Sequence, residues 1–252
     1  MSFFKVSGLC KNFGSLIAVD HADFEIAQGE IVALIGPNGA GKTTFFNLVT
    51  GRLKPDSGKV FFKEEDITGL PPHEIVKRSI GRSFQILNVY PNLSVFRNIR
   101  VPILSMNGRS HVFFKNISYY REEEQKAIEI IRKLGLEDQK DLDADVLSHG
   151  DRRKLELGMT IATNPVLLLL DEPTAGMNAT ETEKTIDLIQ TLAKDFGLTV
   201  ILTEHDMKVV FSLAQRILVM HYGKVICDGP PEQVKENQNV QNIYFGEADW
   251  LS

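Results

Sequence analysis

The chain has 252 residues, 43% of them hydrophobic and 24% charged, with a formal net charge of -5. These values exclude a disordered tail, a collagen-like rod and a small disulfide scaffold, and they give no whole-surface attraction to nucleic acid. The length fits one large domain or a domain with an insert, enough to bury a sizeable core. Cys10 and Cys227 lie far apart and form neither paired metal-ligand spacing nor a redox motif. A reducing compartment is the simpler reading. The first residues, MSFFKVSGLCKNFG, lack the basic and long apolar segments of a secretory signal. The purest apolar run, 166-VLLLL-170, is far short of the roughly 20 residues that cross a bilayer. Work at a membrane therefore calls for an integral partner.

In chain order, 3–9 and 23–27 mix β-branched or aromatic residues with polar ones and predict strands. The run 31-IVALI-35 is continuously apolar and too short for an ordinary helix, which predicts a buried strand. A glycine-rich loop follows, then a helical stretch 43–51 that Gly51 stops. Turn and strand are expected at 55–62, and a short helix at 73–78 behind Pro71 and Pro72. From about Ser94 to Gly135 the pattern is mostly helical; Ala127, Ile128, Ile130, Ile131 and Leu134 supply one apolar face. Helix and strand then alternate: helix 151–162, strand 166–170, helix 180–194, strand 198–203, helix 206–213. Strands 216–220 and 223–229 meet at His221-Tyr222-Gly223, a hairpin. The expected fold is α/β, with a mostly parallel core sheet, an antiparallel strand region and a helical insert. The expected units are 1–89, the first part of the α/β core; 90–155, a helical subdomain; and 156–252, the second part with a C-terminal extension.

The segment 36-GPNGAGKTT-44 matches G-x-x-x-x-G-K-[ST], with an apolar strand before it and a helix after it. Gly36, Gly39 and Gly41 permit a tight loop whose amides can form an anion-binding nest. The following helix adds its positive N-terminal end. Lys42 is expected to reach the β and γ phosphates of a nucleotide, Thr43 to place a hydroxyl on Mg²⁺, and Thr44 to donate to the α phosphate. A glycine-rich turn with a solvated lysine is the plainer alternative, which the strand–loop–helix context disfavours. The loop alone does not choose among an ATPase, a GTPase and a kinase.

In 167-LLLLDEP-173 an apolar strand ends in two carboxylates, at the edge of a parallel sheet where ligands bind. Asp171 is suited to hold Mg²⁺ through its water shell, and Glu172 to orient or deprotonate an attacking water. A polar turn after a core strand is the alternative. Strand 198–203 runs likewise into 204-EHD-206, placing His205 where it can hydrogen-bond the γ phosphate and the attacking water; a capping or core histidine is the alternative. Asp206 is expected to cap the next helix.

These three elements, in this order, strongly resemble the ATP-binding subunit of ABC transporters, and the resemblance covers essentially the whole chain. It implies an ATPase using ATP and Mg²⁺. It assigns adenine stacking to Phe13 in 11-KNFG-14, and nucleotide contacts to Val19, Asn38 and Ala40 beside the loop residues. It assigns sensing of γ phosphate, metal and membrane partner to Gln85 in 84-FQ-85. The family's signature corresponds to 147-LSHGD-151, where His149 and Asp151 depart from the commonest LSGGQ while Ser148 and Gly150 remain. In the loop 175-AGMN-178, Asn178 stands where aspartate is usual. LSHG followed by LELGM, DEPTAGMN, EHDMKVVFSLAQRI and the ending MHYGKVICDGPPEQV…NIYFGE are most similar to subunits of importers for branched-chain amino acids, amides or urea.

That resemblance implies a second ATPase subunit, as a homodimer or a related heterodimer, with each ATP held between Lys42 and Glu172 of one chain and Ser148 and Gly150 of the other. It implies integral permease partners, an extracytoplasmic solute-binding protein reached indirectly, and a place on the cytoplasmic face of the membrane. Ile86, Leu87, Val89 and Tyr90 are expected either to dock the permease or to fill the local core. Lipopolysaccharide-transport ATPases are similar enough to compete. So, more distantly, are soluble ABC ATPases acting on DNA or ribosomes, although 252 residues hold no long coiled-coil insert and only one motif set.

Overall fold

A computed structural model describes residues 2–83, 89–106 and 121–244. Its strands are β1 (Phe4–Phe13), β2 (Leu16–Ile26), β3 (Ile31–Ile35), β4 (Ser57–Phe62), β5 (Glu65–Asp66), β6 (Ile80–Arg82), β7 (Leu167–Asp171), β8 (Thr199–Thr203), β9 (Arg216–His221) and β10 (Lys224–Gly229). Its α-helices are α1 (Lys42–Val49), α2 (Pro72–Lys77), α3 (Val95–Met106), α4 (Arg121–Lys133), α5 (His149–Ala162), α6 (Ala179–Phe196), α7 (Met207–Leu213), α8 (Pro231–Glu236) and α9 (Gln238–Tyr244).

A six-stranded sheet runs in the order β10-β9-β3-β8-β7-β6, parallel throughout except where β10 pairs antiparallel with β9. A four-stranded antiparallel sheet, β2-β1-β4-β5, packs on one face of it. The strand period of two decides which side chain goes where. Ile31, Ala33 and Ile35 face one core, shared with α3 to α7, while Val32 and Leu34 face the other, shared with β1, β2, β4 and α1. β7 divides the same way, with Leu168 and Leu170 against Leu167 and Leu169. Both faces of the central strands are therefore apolar, which is why the sequence shows continuous runs there rather than alternation. Each fully buried Val, Leu or Ile among them contributes about 1.5–3 kcal/mol.

The helix-rich segment is built from α3, α4 and α5. These pack closely because Gly158 leaves room: a Cβ there would lie 2.3 Å from Leu134 Cδ1 and 2.8 Å from Ile99 Cδ1. The structure places α5 two residues earlier than the pattern suggests, because the Ser148 side chain accepts the Asp151 N–H and starts the helix at His149. α5 then passes without a break through the expected boundary at 155/156. α6 likewise starts one residue earlier than expected, on a capping box in which Asn178 Oδ1 accepts from Glu181 N at 3.0 Å and Glu181 Oε2 accepts from Asn178 N at 3.0 Å. β5 and β6 have no counterpart in the sequence reading, being too short to show periodicity. Among the described residues no helix is long and apolar enough to cross a membrane.

Candidate functional site

The sheet order sets the site. β3, β8 and β7 are neighbours and parallel, so their C-terminal ends open on one edge. β3 delivers the loop 36–41 and α1; β8 delivers His205; β7 delivers Asp171 and Glu172. Three elements far apart in the chain thus converge, as ligand sites do at the strand ends of open α/β sheets.

The loop fits closely against the backbone of β9 and β2. A Cβ at Gly36 would sit 2.2 Å from Met220 O, and one at Gly41 would sit 2.2 Å from Ala18 O. Gly41 also has φ 106, a conformation that only glycine takes without strain. Lys42 is buried and its ammonium donates to the carbonyls of Gly36 and Pro37, so the charge lies inside the loop. Asn38 and Gly39 are exposed at the tip, and Ala40 is buried beneath it. Thr43 is exposed in the first turn of α1 and Thr44 half-buried.

Asp171 ends β7 fully inside the sheet. Its Oδ1 accepts from Thr203 Oγ1 at 2.8 Å, and its Oδ2 accepts from Arg82 Nη2 at 2.7 Å. Burial pulls the Arg82 guanidinium down, against the favourable contact with Asp171. Glu172 leaves the strand with φ 50, held by its N–H to Thr203 O at 3.0 Å. This left-handed turn swings its carboxylate toward β8, where Oε1 accepts from His205 Nε2 at 3.0 Å. Both side chains keep access to solvent.

A second carboxylate fixes this arrangement from beneath. Glu204 Oε1 accepts both the N–H of Thr174 at 2.8 Å and its hydroxyl at 2.7 Å, which ties the turn after β7 to the end of β8. Burial pushes the Glu204 carboxyl above the ordinary range, although the Thr174 hydrogen bonds oppose it. Asp206 caps α7 as expected, accepting from Lys208 N at 2.8 Å.

Not every expected residue joins the cluster. Phe13 is 47% exposed at the end of β1, with Lys11 Nζ 5.7 Å from its ring centroid, an open face suited to stacking. Val19 differs from the expectation: its side chain is fully buried in the core and presents no surface to a nucleotide, because its strand register points it inward. Ser148 and Gly150 lie at the start of α5, and among the described residues no hydrogen bond or ion pair joins them to the loop, to Glu172 or to His205. Asp151, in place of the usual glutamine, is partly buried, yet hydrogen bonds from Lys154 and Ser148 hold its carboxyl below the usual range. Gln85, Ile86 and Leu87 lie outside the described residues.

Sequence reasoning missed Arg82, Thr203, Thr174 and Glu204. Only the opposition of Asp171 and Thr203 in the β7–β8 register, which needs the sheet order, would have pointed to Thr203.

The donor set suits the expected ligands. Hydroxyl and carboxylate oxygens at Thr43 and Asp171 match a hard cation such as Mg²⁺. The glycine cradle, a helix N-terminus and a buried ammonium match a polyphosphate. Fold and site together define a P-loop nucleotide-binding protein of the α/β class.

The family model for "ABC transporter" matches residues 19–175. The high-affinity branched-chain amino acid transport ATP-binding protein of Escherichia coli (strain K12) is 37% identical over 96% of this chain and 97% of its own length. The lipopolysaccharide export system ATP-binding protein of Haemophilus influenzae is 33% identical over 98% of each. A crystal structure of the ADP conformation of an ATP-binding cassette of an ABC transporter superposes with a TM-score of 0.85 at 29% identity, covering 98% of this chain and 100% of that one. The chain belongs to the ABC transporter family, as an ATP-binding and ATP-hydrolysing subunit.

Proposed function

We propose that this subunit dimerises around two ATP molecules and powers import of a small polar solute, a branched-chain amino acid or a related amide or urea, through membrane permeases. The observation that carries the reading is the meeting of Lys42, Asp171, Glu172 and His205 on three adjacent strand ends. Likeness to the branched-chain amino acid relative supports the cargo class. The division into an α/β core, 1–89 and 156–252, and a helical subdomain, 90–155, belongs to the same proposal.

In this mechanism the loop amides and Lys42 hold the triphosphate, Phe13 stacks on the base, and Thr43, Gln85 and Asp171 hold Mg²⁺. Bound Mg²⁺ supplies charge neutralisation on the phosphate oxygens. Glu172 takes the proton from the attacking water at a carboxylate oxygen, and His205, donating from Nε2, keeps that carboxylate aimed. Ser148 and Gly150 come from the partner subunit. Among the described residues neither is bonded to the loop of its own chain, which supports this division of the site.

Docking of the permease belongs to the cavity of about 390 Å³ between α2, β6, α3 and α5, walled by Arg52, Val76, Val101 and Met159. Tyr90 lines it and is 49% exposed, which favours docking over core filling, whereas Val89 packs partly against the core. The site is on the cytoplasmic face of the membrane. Tyr90→Ala is expected to lower permease-stimulated hydrolysis severalfold while leaving ATP affinity of the isolated subunit unchanged. Equal loss of both would reject the docking role.

Uptake by the reconstituted transporter tests the cargo. ATP-dependent accumulation of branched-chain amino acids or urea is the expected result. Movement of lipopolysaccharide instead, or no ATP-dependent uptake of any of them, would overturn it.

A further inference from the structure

Arg82 enters the site only through Asp171, yet it is among its least exposed charges. Its side chain is 6% exposed, and that of Asp171, its partner at 2.7 Å, is 5% exposed. The guanidinium also reaches α1. Nη1 donates to Asn47 Oδ1 at 2.7 Å and to Thr50 Oγ1 at 3.3 Å, and the group lies 5.4 Å from the centroid of Phe46. One planar fork therefore joins β6, α1 and β7.

Stability alone is a poor reason for such a clip. Removing two charges from water costs several kcal/mol per ion, and well-packed apolar residues of similar volume often serve as well or better. What the pair supplies is direction. With Arg82 on Oδ2 and Thr203 on Oδ1, the Asp171 carboxylate is gripped from β6 and β8 at once. Rotation of its plane would break both hydrogen bonds. Each carboxylate oxygen retains a second lone pair for a metal-bound water. Arg82 and Thr50 also stand in the wall of the cavity that carries Tyr90. A single residue thus spans the distance between that cavity and the carboxylate.

We infer that Arg82 is a positioning residue: it orients Asp171 for Mg²⁺-bound ATP, and it connects that carboxylate to the wall of the docking cavity. The inference rests on the metal role given to Asp171 above. Lysine cannot replace it, because a point charge on a flexible stem cannot meet Asp171, Asn47 and Thr50 in one plane.

The test is ATP binding by the full chain, followed calorimetrically in EDTA and across a Mg²⁺ series. Arg82→Lys is expected to leave metal-free ATP affinity within about twofold of the parent, while the Mg²⁺ concentration giving half of the metal-dependent gain rises about tenfold, the loss of one charge-assisted hydrogen bond. A strut with no positioning role would lower the melting temperature and leave that midpoint unchanged, which would overturn the inference. If Arg82→Lys does not fold, Asn47→Ala with Thr50→Val removes the α1 end of the clip and keeps the ion pair. The same midpoint should then rise about threefold, and no rise would overturn the inference equally. Asp171→Asn is measured alongside. If it too leaves the midpoint unchanged, the metal role of Asp171 fails. If it shifts the midpoint and the Arg82 and Asn47 variants do not, only the inference about Arg82 falls.

Discussion

Lys42 shows how a residue's burial sets what its loss means. Its ammonium is buried against Gly36 O and Pro37 O, so a phosphate drawn into the loop meets a charge already stripped of much of its water. Lys42→Ala is expected to weaken Mg²⁺-ATP by about 2–5 kcal/mol in a calorimetric titration. Unchanged affinity in a folded variant would remove the phosphate role. Glu204 behaves differently, because burial raises its carboxyl. A carboxyl that is higher in the folded chain than in the unfolded one contributes stability that is fully present below the unfolded value, about 4.3 for glutamate, and is lost as pH rises through the folded value. Glu204→Gln removes that titration while its amide oxygen can still accept from Thr174. The melting temperature of the variant should therefore gain on that of the parent as pH rises from about 4 towards neutrality. A constant difference across that range would contradict the role of burial.

Among the elements, α3, α4 and α5 depend on Gly158. Its missing side chain lets Leu134, Ile99 and Ile130, all essentially fully buried, close on α5. Gly158→Val should cost about 3 kcal/mol by overpacking. Urea unfolding would show it as a lower midpoint at an unchanged slope, and a midpoint equal to the parent's would refute the close packing. The central elements were legible in the sequence because burial on both faces writes itself as apolar runs: β3 falls on 31–35 as expected, and β7 is displaced by a single residue. The loop 36-GPNGAGKTT-44, Asp171, Glu172 and His205 were legible because each follows such a run. Arg82 and Glu204 were not. Each works through a residue distant in the chain, Asp171 and Thr174, and no local pattern records which strands become neighbours. β6, only three residues long, has no period to read. Val19 is a different case: the resemblance assigns it a nucleotide contact, and no local pattern shows that its face of β2 turns into the core.

On the scale of the whole molecule, one chain places the loop, Asp171 and Glu172 on one edge of its sheet, and among the described residues no hydrogen bond or ion pair ties the start of α5 to them. Two copies complete each other in this account. Glu172→Gln keeps the shape of the side chain but cannot accept the proton of the attacking water, so phosphate release should fall about 10²–10⁴-fold while ATP remains bound. Trapped ATP then favours the dimer, since nucleotide bound at the shared interface stabilises association by mass action. Ser148 also caps α5, so adding Ser148→Ala costs about 1 kcal/mol of local stability, and both proteins must be shown folded and ATP-bound. Light scattering in saturating ATP is the direct measurement. Glu172→Gln should run at twice the monomer mass, and the double variant with Ser148→Ala should return towards the monomer. Equal dimer mass in both would show that Ser148 does not reach across to the partner's nucleotide, contradicting a site shared between subunits.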